Sequence, residues 1–481
     1  MVDTKPAIII TGAAAGIGRE FARLTATEGR TLVVIDRDAA GLETLREELV
    51  RAGVDTYAIA VDLTSIEAGD TIEAAVARHG LHCETLINNA GLSLVGPAAD
   101  QAPAVQLRLV DLHVMALTDL TLRFLPGMIA RRRGGIINVS SMGAYIAGPN
   151  MAIYNATKRY VSLFTAALAR ELIGTGVRIC SLVPGKARTG MWPSDDASRR
   201  NLIYRLPMIS ARETAEAGWR GFQRGKTVVF PQLFFHVAAR VLRLVPTRTY
   251  LLLTAGMFDA AAGREAAPTT TEPALVITGA TSALGRAFAR LATTQKRHVV
   301  LVGDADDELV RLAETLAARG VSVTTVTVDM TRRDAGACVE RALSERGLHG
   351  DVLVHGAQAS LAGPIAVRDR PTQLDLVGAN IRALTDLTSR LLPGMVARRR
   401  GGVILFGASS DRTLGRSARS NEALAQATRA YAAWLGEALA CETRQTGVSV
   451  GLSAAADADP EESAARAWQH FQAMQSTASR A

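Results

Sequence analysis

The chain copies itself once. Residues 125–135 read LPGMIARRRGG and residues 392–402 read LPGMVARRRGG, ten of eleven positions identical at an offset of 267. The same offset lays Ala116–Thr121 on Ala383–Thr388, Thr11-Gly12 on Thr278-Gly279, Val61-Asp62 on Val328-Asp329 and Gly96-Pro97 on Gly363-Pro364. A repeat this long is a duplicated domain, because solenoid units recur every ~20–50 residues. At 481 residues the chain has room for two ordinary cores. We read a first domain over 1–258, a linker over 259–273 rich in Ala, Thr and Pro, and a second domain over 274–455. A C-terminal tail follows over 456–481, in which Pro460 to Ser476 is a short amphipathic helix or a loose extension.

Each copy alternates strand and helix signals. In the first, apolar runs at Ala7–Ile10, Thr31–Ile35, Thr56–Val61, Thr85–Ile87, Gly135–Val139 and Val177–Val183 are separated by helical stretches. The longest of these run from about Val105 to Arg131 and from about Tyr154 to Gly174. Continuous β-branched runs between helices predict parallel sheets covered on both faces. The fold class is α/β, two tandem Rossmann-like, doubly wound domains.

Composition sets the outer limits. Hydrophobic residues are 48% and charged residues 21%, a globular balance. Lys and Arg exceed Asp and Glu by eight, but the clusters Arg131–Arg133 and Arg398–Arg400 are only three residues long. That is shorter than a nucleic-acid patch, and no nucleic-acid partner is expected. Cys83, Cys180, Cys338 and Cys441 form no C-x-x-C pair, so neither a zinc site nor a disulfide framework is expected, and a cytoplasmic location fits. No secretory-signal pattern and no run of eighteen uncharged apolar residues is present.

The chemistry-bearing residues lie in the first copy. Thr11-Gly12-Ala13-Ala14-Ala15-Gly16-Ile17-Gly18 follows a predicted strand and opens a predicted helix. Glycines let a backbone approach a pyrophosphate, and the helix N-terminus supplies amides and the positive dipole end. Asp36 ends the second predicted strand eighteen residues after Gly18, where a carboxylate meets an adenosine ribose 2′-hydroxyl and repels a 2′-phosphate. Ala15 offers no cation ahead of the second glycine. Both features favour NAD(H). Arg37, able to reach a 2′-phosphate, keeps NADP(H) open.

With Asn88-Asn89-Ala90-Gly91, Ser141, Tyr154-x-x-x-Lys158 and Pro184-Gly185 in order, residues 5–258 resemble the short-chain dehydrogenase/reductase (SDR) family. The resemblance implies that Tyr154 exchanges a proton with the substrate oxygen, Ser141 holds that oxygen, and Lys158, one turn after Tyr154, lowers the phenol pKa. Ser140 is the less favoured serine. It also implies a cofactor lining of Gly12, Ala14, Gly16, Ile17, Gly18, Asp36, Arg37, Asp62, Leu63, Asn89, Ala90, Gly91, Pro184, Gly185, Ala187 and Thr189, with Tyr154 and Lys158. The expected activity is a ketone/alcohol oxidoreduction by the Ser-Tyr-Lys mechanism. Where the family places a helix Asn as a fourth catalytic member, this chain has His113. That histidine either relays protons, titrating near neutrality, or simply packs in its helix.

The stretch from about 190 to 258 corresponds to the family's substrate lid. Its apolar density, including Val228–Pro231 and Leu233–Leu242, suggests a small hydrophobic carbonyl or alcohol substrate. With Arg240, Arg243 and Arg248 it also suits peripheral membrane contact through Leu233–Leu253 or packing against the second domain.

The second copy is disarmed. Ala283 replaces the middle glycine, Gly303 the acidic residue, His355-Gly356-Ala357-Gln358 the Asn-Asn-Ala-Gly, and Ala408 the serine. After a four-residue insertion, Ala425 stands for Tyr154 and Arg429 for Lys158, while Asn380 retains the helix Asn. Tyr431 aligns with Tyr160, outside the motif. This copy is expected to be non-catalytic, with at most weak nucleotide binding left open, and structural, a pseudo-partner on the helix surface through which the family dimerises. Homo-oligomers remain open. The competing reading of the whole chain is a non-catalytic nucleotide-binding scaffold or sensor.

Overall fold

Apolar, β-branched segments too short for helices make the strands, and each is followed by a helix that covers it. This computed structural model describes residues 4–188, 208–232, 234, 235, 237, 270–294, 297–304, 306–356, 364, 365, 368–407, 423–454 and 459–478. In the first domain β1 (Lys5–Thr11), β2 (Thr31–Asp36), β3 (Thr56–Ala60), β4 (Leu81–Asn88), β5 (Gly134–Val139) and β6 (Val177–Leu182) are all parallel. A two-residue strand β7 (Ala187–Arg188) pairs with β8 (Ile209–Ser210), and β9 (Val228–Val229) adds to the main sheet beside β6. The order is β3-β2-β1-β4-β5-β6-β9. The reversal falls between β1 and β4, where doubly wound sheets open a crevice at the strand C-terminal ends.

The second domain repeats this with β10 (Glu272–Thr278), β11 (His298–Gly303), β12 (Val323–Thr327), β13 (Leu348–His355), β14 (Gly401–Gly407) and β15 (Val448–Ala454), in the order β12-β11-β10-β13-β14-β15. β10 begins at Glu272, so the last two residues assigned to the linker are already strand.

On one face of the first sheet lie α1 (Gly16–Ala26), α2 (Ala39–Arg51) and α7 (Ala211–Gln223). On the other lie α3 (Ala68–Arg78), α4 (Pro103–Val110), α5 (Leu117–Ala130) and α6 (Ala152–Glu171). A π-helical turn, Asp111–Ala116, joins α4 to α5. The sequence reading ran one uninterrupted helix through it. The second domain answers with α8 (Ala283–Leu291), α9 (Asp306–Ala317), α10 (Ala335–Ser344), α11 (Arg370–Val377), a π turn (Gly378–Arg382), α12 (Ala383–Ala397), α13 (Ala423–Glu442) and α14 (Pro460–Ala478).

α6 and α13 make the most extensive contact between any two of these elements. Both are buried around most of their circumference, which is why neither has a clean polar face. The inner helix layers share one apolar core that runs from Ile9 and Tyr160 of the first domain to Tyr431 and Leu435 of the second. Polar pairs pin the seam: Arg382 Nε donates to Asp111 at 2.8 Å, Arg370 pairs with Asp119, and the Arg159 guanidinium lies 4.2 Å over the Trp434 ring.

Two segments differ from the sequence reading. Part of the segment assigned to the lid packs into the core: α7 buries Ala215, Trp219 and Phe222 on α1, Phe222 fills the space above Gly135, and β9 extends the sheet. The C-terminal segment is the helix of its two readings, and only its packing was not foreseen. α14 buries Ala464, Trp468 and Phe471, with Phe471 above Gly402. Trp219/Phe222 and Trp468/Phe471 have the same geometry, ring centroids 5.6 Å apart at 35°. The duplication therefore extends to α14 with the lid deleted: twenty-eight residues separate Leu182 from Ala211, but five separate Ala454 from Pro460.

Candidate active site

The crevice is organised from the end of β1. Thr11 Oγ1 accepts the backbone N–H groups of Asn89 (3.0 Å) and Ala90 (3.1 Å). In return Asn89 Nδ2 donates to the carbonyls of Thr11 (3.0 Å) and Gly12 (3.1 Å). Gly12 has φ +66°, and a Cβ there would stand 2.8 Å from the Ala90 backbone. A Cβ on Gly18 would overlap the Gly12 carbonyl at 2.1 Å. These glycines let the turn, the start of α1 and the β4 end pack backbone to backbone. The N-cap of α1, Ala15, supplies no side-chain hydrogen bond, so the first-turn amides have no internal cap. Asp36 is held at the rim by the amides of Ala14 (3.0 Å) and Asp38 (3.1 Å).

A cleft of about 410 Å³ opens there. Its described lining brings together Gly12, Ala15, Gly16, Ile17, Asp36, Asn89, Gly91, Leu92, Ser93, Val139, Ser140, Ser141, Tyr154, Lys158, Pro184, Gly185 and Ala187. Of the residues expected to bind cofactor, Ala14, Gly18 and Ala90 sit behind this wall and shape it. Arg37, Asp62 and Leu63 do not line it. Asp62 is engaged instead by Thr64 and by Arg108 Nη2 (2.6 Å). Thr189 and Leu233, with most of the proposed lid and membrane-contact segment, lie outside the described residues.

Ser141 leaves β5 and caps a short 3-10 turn, accepting Gly143 N–H at 3.1 Å, and its hydroxyl hydrogen-bonds the Tyr154 phenol. Ser140 turns inward to the Lys158 carbonyl (2.9 Å) and Ser162 (2.7 Å), so its hydroxyl is committed to packing α6 on β5. Tyr154 lies in the first turn of α6 and Lys158 one turn later, with Nζ 5.8 Å from the Tyr154 ring centroid and donating to the Val139 carbonyl at 3.2 Å. Burial depresses the Lys158 ammonium to about 7. Burial also pushes the Tyr154 phenol up, against the Ser141 hydrogen bond. Desolvation by the protein alone thus favours the neutral form of both groups.

His113, in the π turn, is 1% exposed and held far below its ordinary value by burial and then by the Lys158 charge. Its Nε2 accepts the Leu92 N–H at 3.0 Å and its Nδ1 meets the Thr157 hydroxyl at 2.9 Å. Both ring nitrogens are thus engaged where α6 packs on the cleft wall, with the ring edge-on to Tyr154 at 5.8 Å between centroids. Thr157, Leu92 and Thr11 are site residues the sequence reading missed. Thr11 carried a signal, since it recurs as Thr278 at the head of the copied turn.

The same place in the second domain is built differently. Ser282 caps α8, accepting Gly285 N–H at 2.9 Å, so a side chain occupies an amide that is left uncapped in α1. His355, with Nδ1 3.1 Å from Thr278 Oγ1, and Gly356 stand where Asn88 and Asn89 stand in the first domain. Thr428 donates to the Ala425 carbonyl as Thr157 does to Tyr154, which fixes Ala425 at the tyrosine position. Tyr431 bonds Thr385 inside the core, as Tyr160 bonds Thr118. Ala357, Gln358 and residues 408–410 lie outside the described residues.

The family model for the short chain dehydrogenase matches residues 6–200 and again 273–464. Among curated proteins, a sulfoacetaldehyde reductase of Chromohalobacter salexigens is 32% identical over 247 residues, covering 50% of this chain and 94% of that protein. A very-long-chain 3-oxoacyl-CoA reductase of Bos taurus is 33% identical over 182 residues, 37% of this chain and 57% of that protein. Among solved structures, a short-chain dehydrogenase from Sphingobium yanoikuyae in complex with NADPH is 30% identical, covers 54% of this chain and 98% of its own, and has a TM-score of 0.44. The chain belongs to the short chain dehydrogenase family, nicotinamide-dependent oxidoreductases of alcohols and carbonyls, and carries the family's domain twice.

Proposed function

We propose that the first domain interconverts a ketone and a secondary alcohol with NAD(H), while the second domain is structural. The observation that carries this is the convergence of Ser141, Tyr154 and Lys158 on the cleft that the glycine turn opens. The turn fits a dinucleotide: Gly12 and Gly18 leave no room for a Cβ, and the α1 amides are uncapped by any side chain. Gly12, Gly16 and Ile17 would hold the pyrophosphate, Asp36 the adenosine ribose, Lys158 the nicotinamide ribose, and Pro184 and Gly185 the carboxamide end. When bound, the cofactor supplies or accepts the hydride.

The chain's own residues handle the oxygen. Ser141 orients it beside the phenol. In the reducing direction Tyr154 donates its proton to that oxygen, and in the oxidising direction the phenolate takes the proton back. The Lys158 ammonium, in its charged form, stabilises the phenolate. NAD(H) is favoured because Asp36 lines the cleft whereas Arg37 does not; among the described lining residues Lys158 is the only cation. A hydrophobic substrate is favoured because Met142, Tyr145, Val183, Phe230 and Phe235 cluster apolar surface next to Ser141 and Gly185. The relatives' names, which range from a small sulfo-aldehyde to a very long acyl chain, do not narrow it.

The test is NADH oxidation by the full chain against aliphatic, aromatic and alicyclic ketones, with Tyr154→Phe as control. Turnover that disappears in the variant supports the proposal. Absence of turnover with every ketone and both cofactors, or turnover that survives in the variant, refutes it.

A further inference from the structure

α6 carries Tyr154 and Lys158 but does not cap itself. Its N-cap is Met151, which makes no side-chain hydrogen bond, and its first turn holds no acidic residue. An uncapped helix start leaves backbone N–H groups seeking acceptors. The acceptor comes from the other domain. Glu442, the last residue of α13, receives the N–H of Ala98 at 2.8 Å and of Asn150 at 2.7 Å, and its carboxylate also takes the Ala152 N–H at the first position of α6. Asn150 sits in the left-handed region at φ 63°, and its carbonyl accepts Gly96 N–H at 2.8 Å. One carboxylate therefore ties together the segment that runs on from the Gly91–Ser93 cleft wall and the segment that leads into Tyr154.

The duplication supplies a mirror image. Glu171, the last residue of α6, receives the N–H of Ile365 at 2.9 Å and of Ala423, the first residue of α13, at 3.4 Å. The two clamps are related by the pseudo-twofold between the domains, yet only one of them acts on a helix that bears a tyrosine and a lysine of the motif.

We infer that Glu442, contributed by the domain without the motif, is a positioning residue that caps the catalytic helix of the other domain and sets the placement of Tyr154. This rests on the proposed activity of the first domain. The second domain is then more than a covering for apolar surface: the active site is incomplete without it. Removal of the carboxylate leaves three backbone N–H groups around Met151 unpaired, and the first turn of α6 frays. Fraying there moves the phenol that must meet the substrate oxygen, while the glycine turn on the opposite wall is untouched. The expected signature is a loss in kcat with the NADH dissociation constant unchanged.

The experiment compares Glu442→Ala with Glu171→Ala in the full chain, measuring kcat, KM, NADH affinity by fluorescence and Tm, with Glu442→Gln as the conservative variant. The inference predicts that both alanine variants lose thermal stability to a similar extent, that only Glu442→Ala loses kcat, by about tenfold or more, and that Glu442→Gln, keeping one acceptor oxygen, recovers part of it. Equal kcat losses in both alanine variants, or an unchanged kcat in Glu442→Ala, would overturn it. If the wild type turns over no ketone, the proposed activity has failed rather than the clamp. Amide hydrogen exchange then decides the clamp: faster exchange over 96–98 and 150–154 in Glu442→Ala but not in Glu171→Ala supports it, and equal exchange rejects it. Should Glu442→Ala not fold, the same comparison is made with Glu442→Gln.

Discussion

The Nδ1 of His113 stands 2.9 Å from the hydroxyl of Thr157, and that hydroxyl donates to the Tyr154 carbonyl at 2.7 Å. With the hydroxyl proton committed there, the network assigns the proton of a neutral imidazole to Nδ1, leaving Nε2 to accept Leu92 N–H. Both ring nitrogens are used to hold the cleft wall to α6. His113→Phe should destabilise the protein by about 1–3 kcal/mol through the orphaned amide and hydroxyl. Because burial and then the Lys158 charge hold the imidazole well below its ordinary value, the pH–rate profile of the wild type should contain no His113 limb near neutrality. A profile from pH 5 to 9 that loses an ionisation in His113→Asn would contradict this.

Lys158 sets a pH dependence with a definite sign. Its folded value, about 7, lies below the unfolded value of ~10.4, so between these values the unfolded chain binds more protons and stability rises with pH. Below pH 7 the cost of burying the ammonium is present in full. Lys158→Met removes that cost, and its Tm at pH 7 should exceed that of the wild type while turnover is lost. The gap should narrow from pH 7 to pH 10, and thermal unfolding across that window checks it. A gap that widens with pH would contradict the burial argument.

Asp36 should select the cofactor. Asp36→Ala removes the carboxylate that faces a 2′-phosphate and frees Ala14 N–H, so NADPH affinity should rise relative to NADH by about tenfold, read by fluorescence titration. No change in the ratio would point to Arg37 or to residues beyond the described rim.

Arg382 and Asp111 form a buried pair across the domain seam, with Arg333 at 3.8 Å from the same carboxylate. Their pseudo-symmetric counterparts are Met115 and Gly378, which meet without charge. Arg382→Met alone should cost about 3–5 kcal/mol, because Asp111 stays buried and loses its closest partner. Adding Asp111→Ala should recover most of that loss, as measured by urea denaturation of the two variants.

The duplication, the parallel sheets and the meeting of Ser141, Tyr154 and Lys158 in one cleft were legible because each leaves a local mark: an offset, a β-branched run, or a motif at fixed spacing. The π turn at Asp111–Ala116 was not, since it holds no Gly or Pro to mark a break in the helix. The role of α14 was hidden for a different reason. Its Trp468-x-x-Phe471 repeats Trp219-x-x-Phe222, but the four-residue insertion and then the missing lid take the register from 267 through 271 to 249, so a search at one offset passes over it. The Glu442 clamp could not be read at all, because its partners lie 292 and 344 residues away.

The two domains form an asymmetric pair, one with a glycine turn whose helix start has no side-chain cap and one whose matching helix start is capped by Ser282. The most direct measurement is titration of the full chain with NADH, and separately NADPH, by fluorescence, counting sites per chain. One site per chain is expected, with NADH bound more tightly. Two sites of comparable affinity, or none, would contradict it.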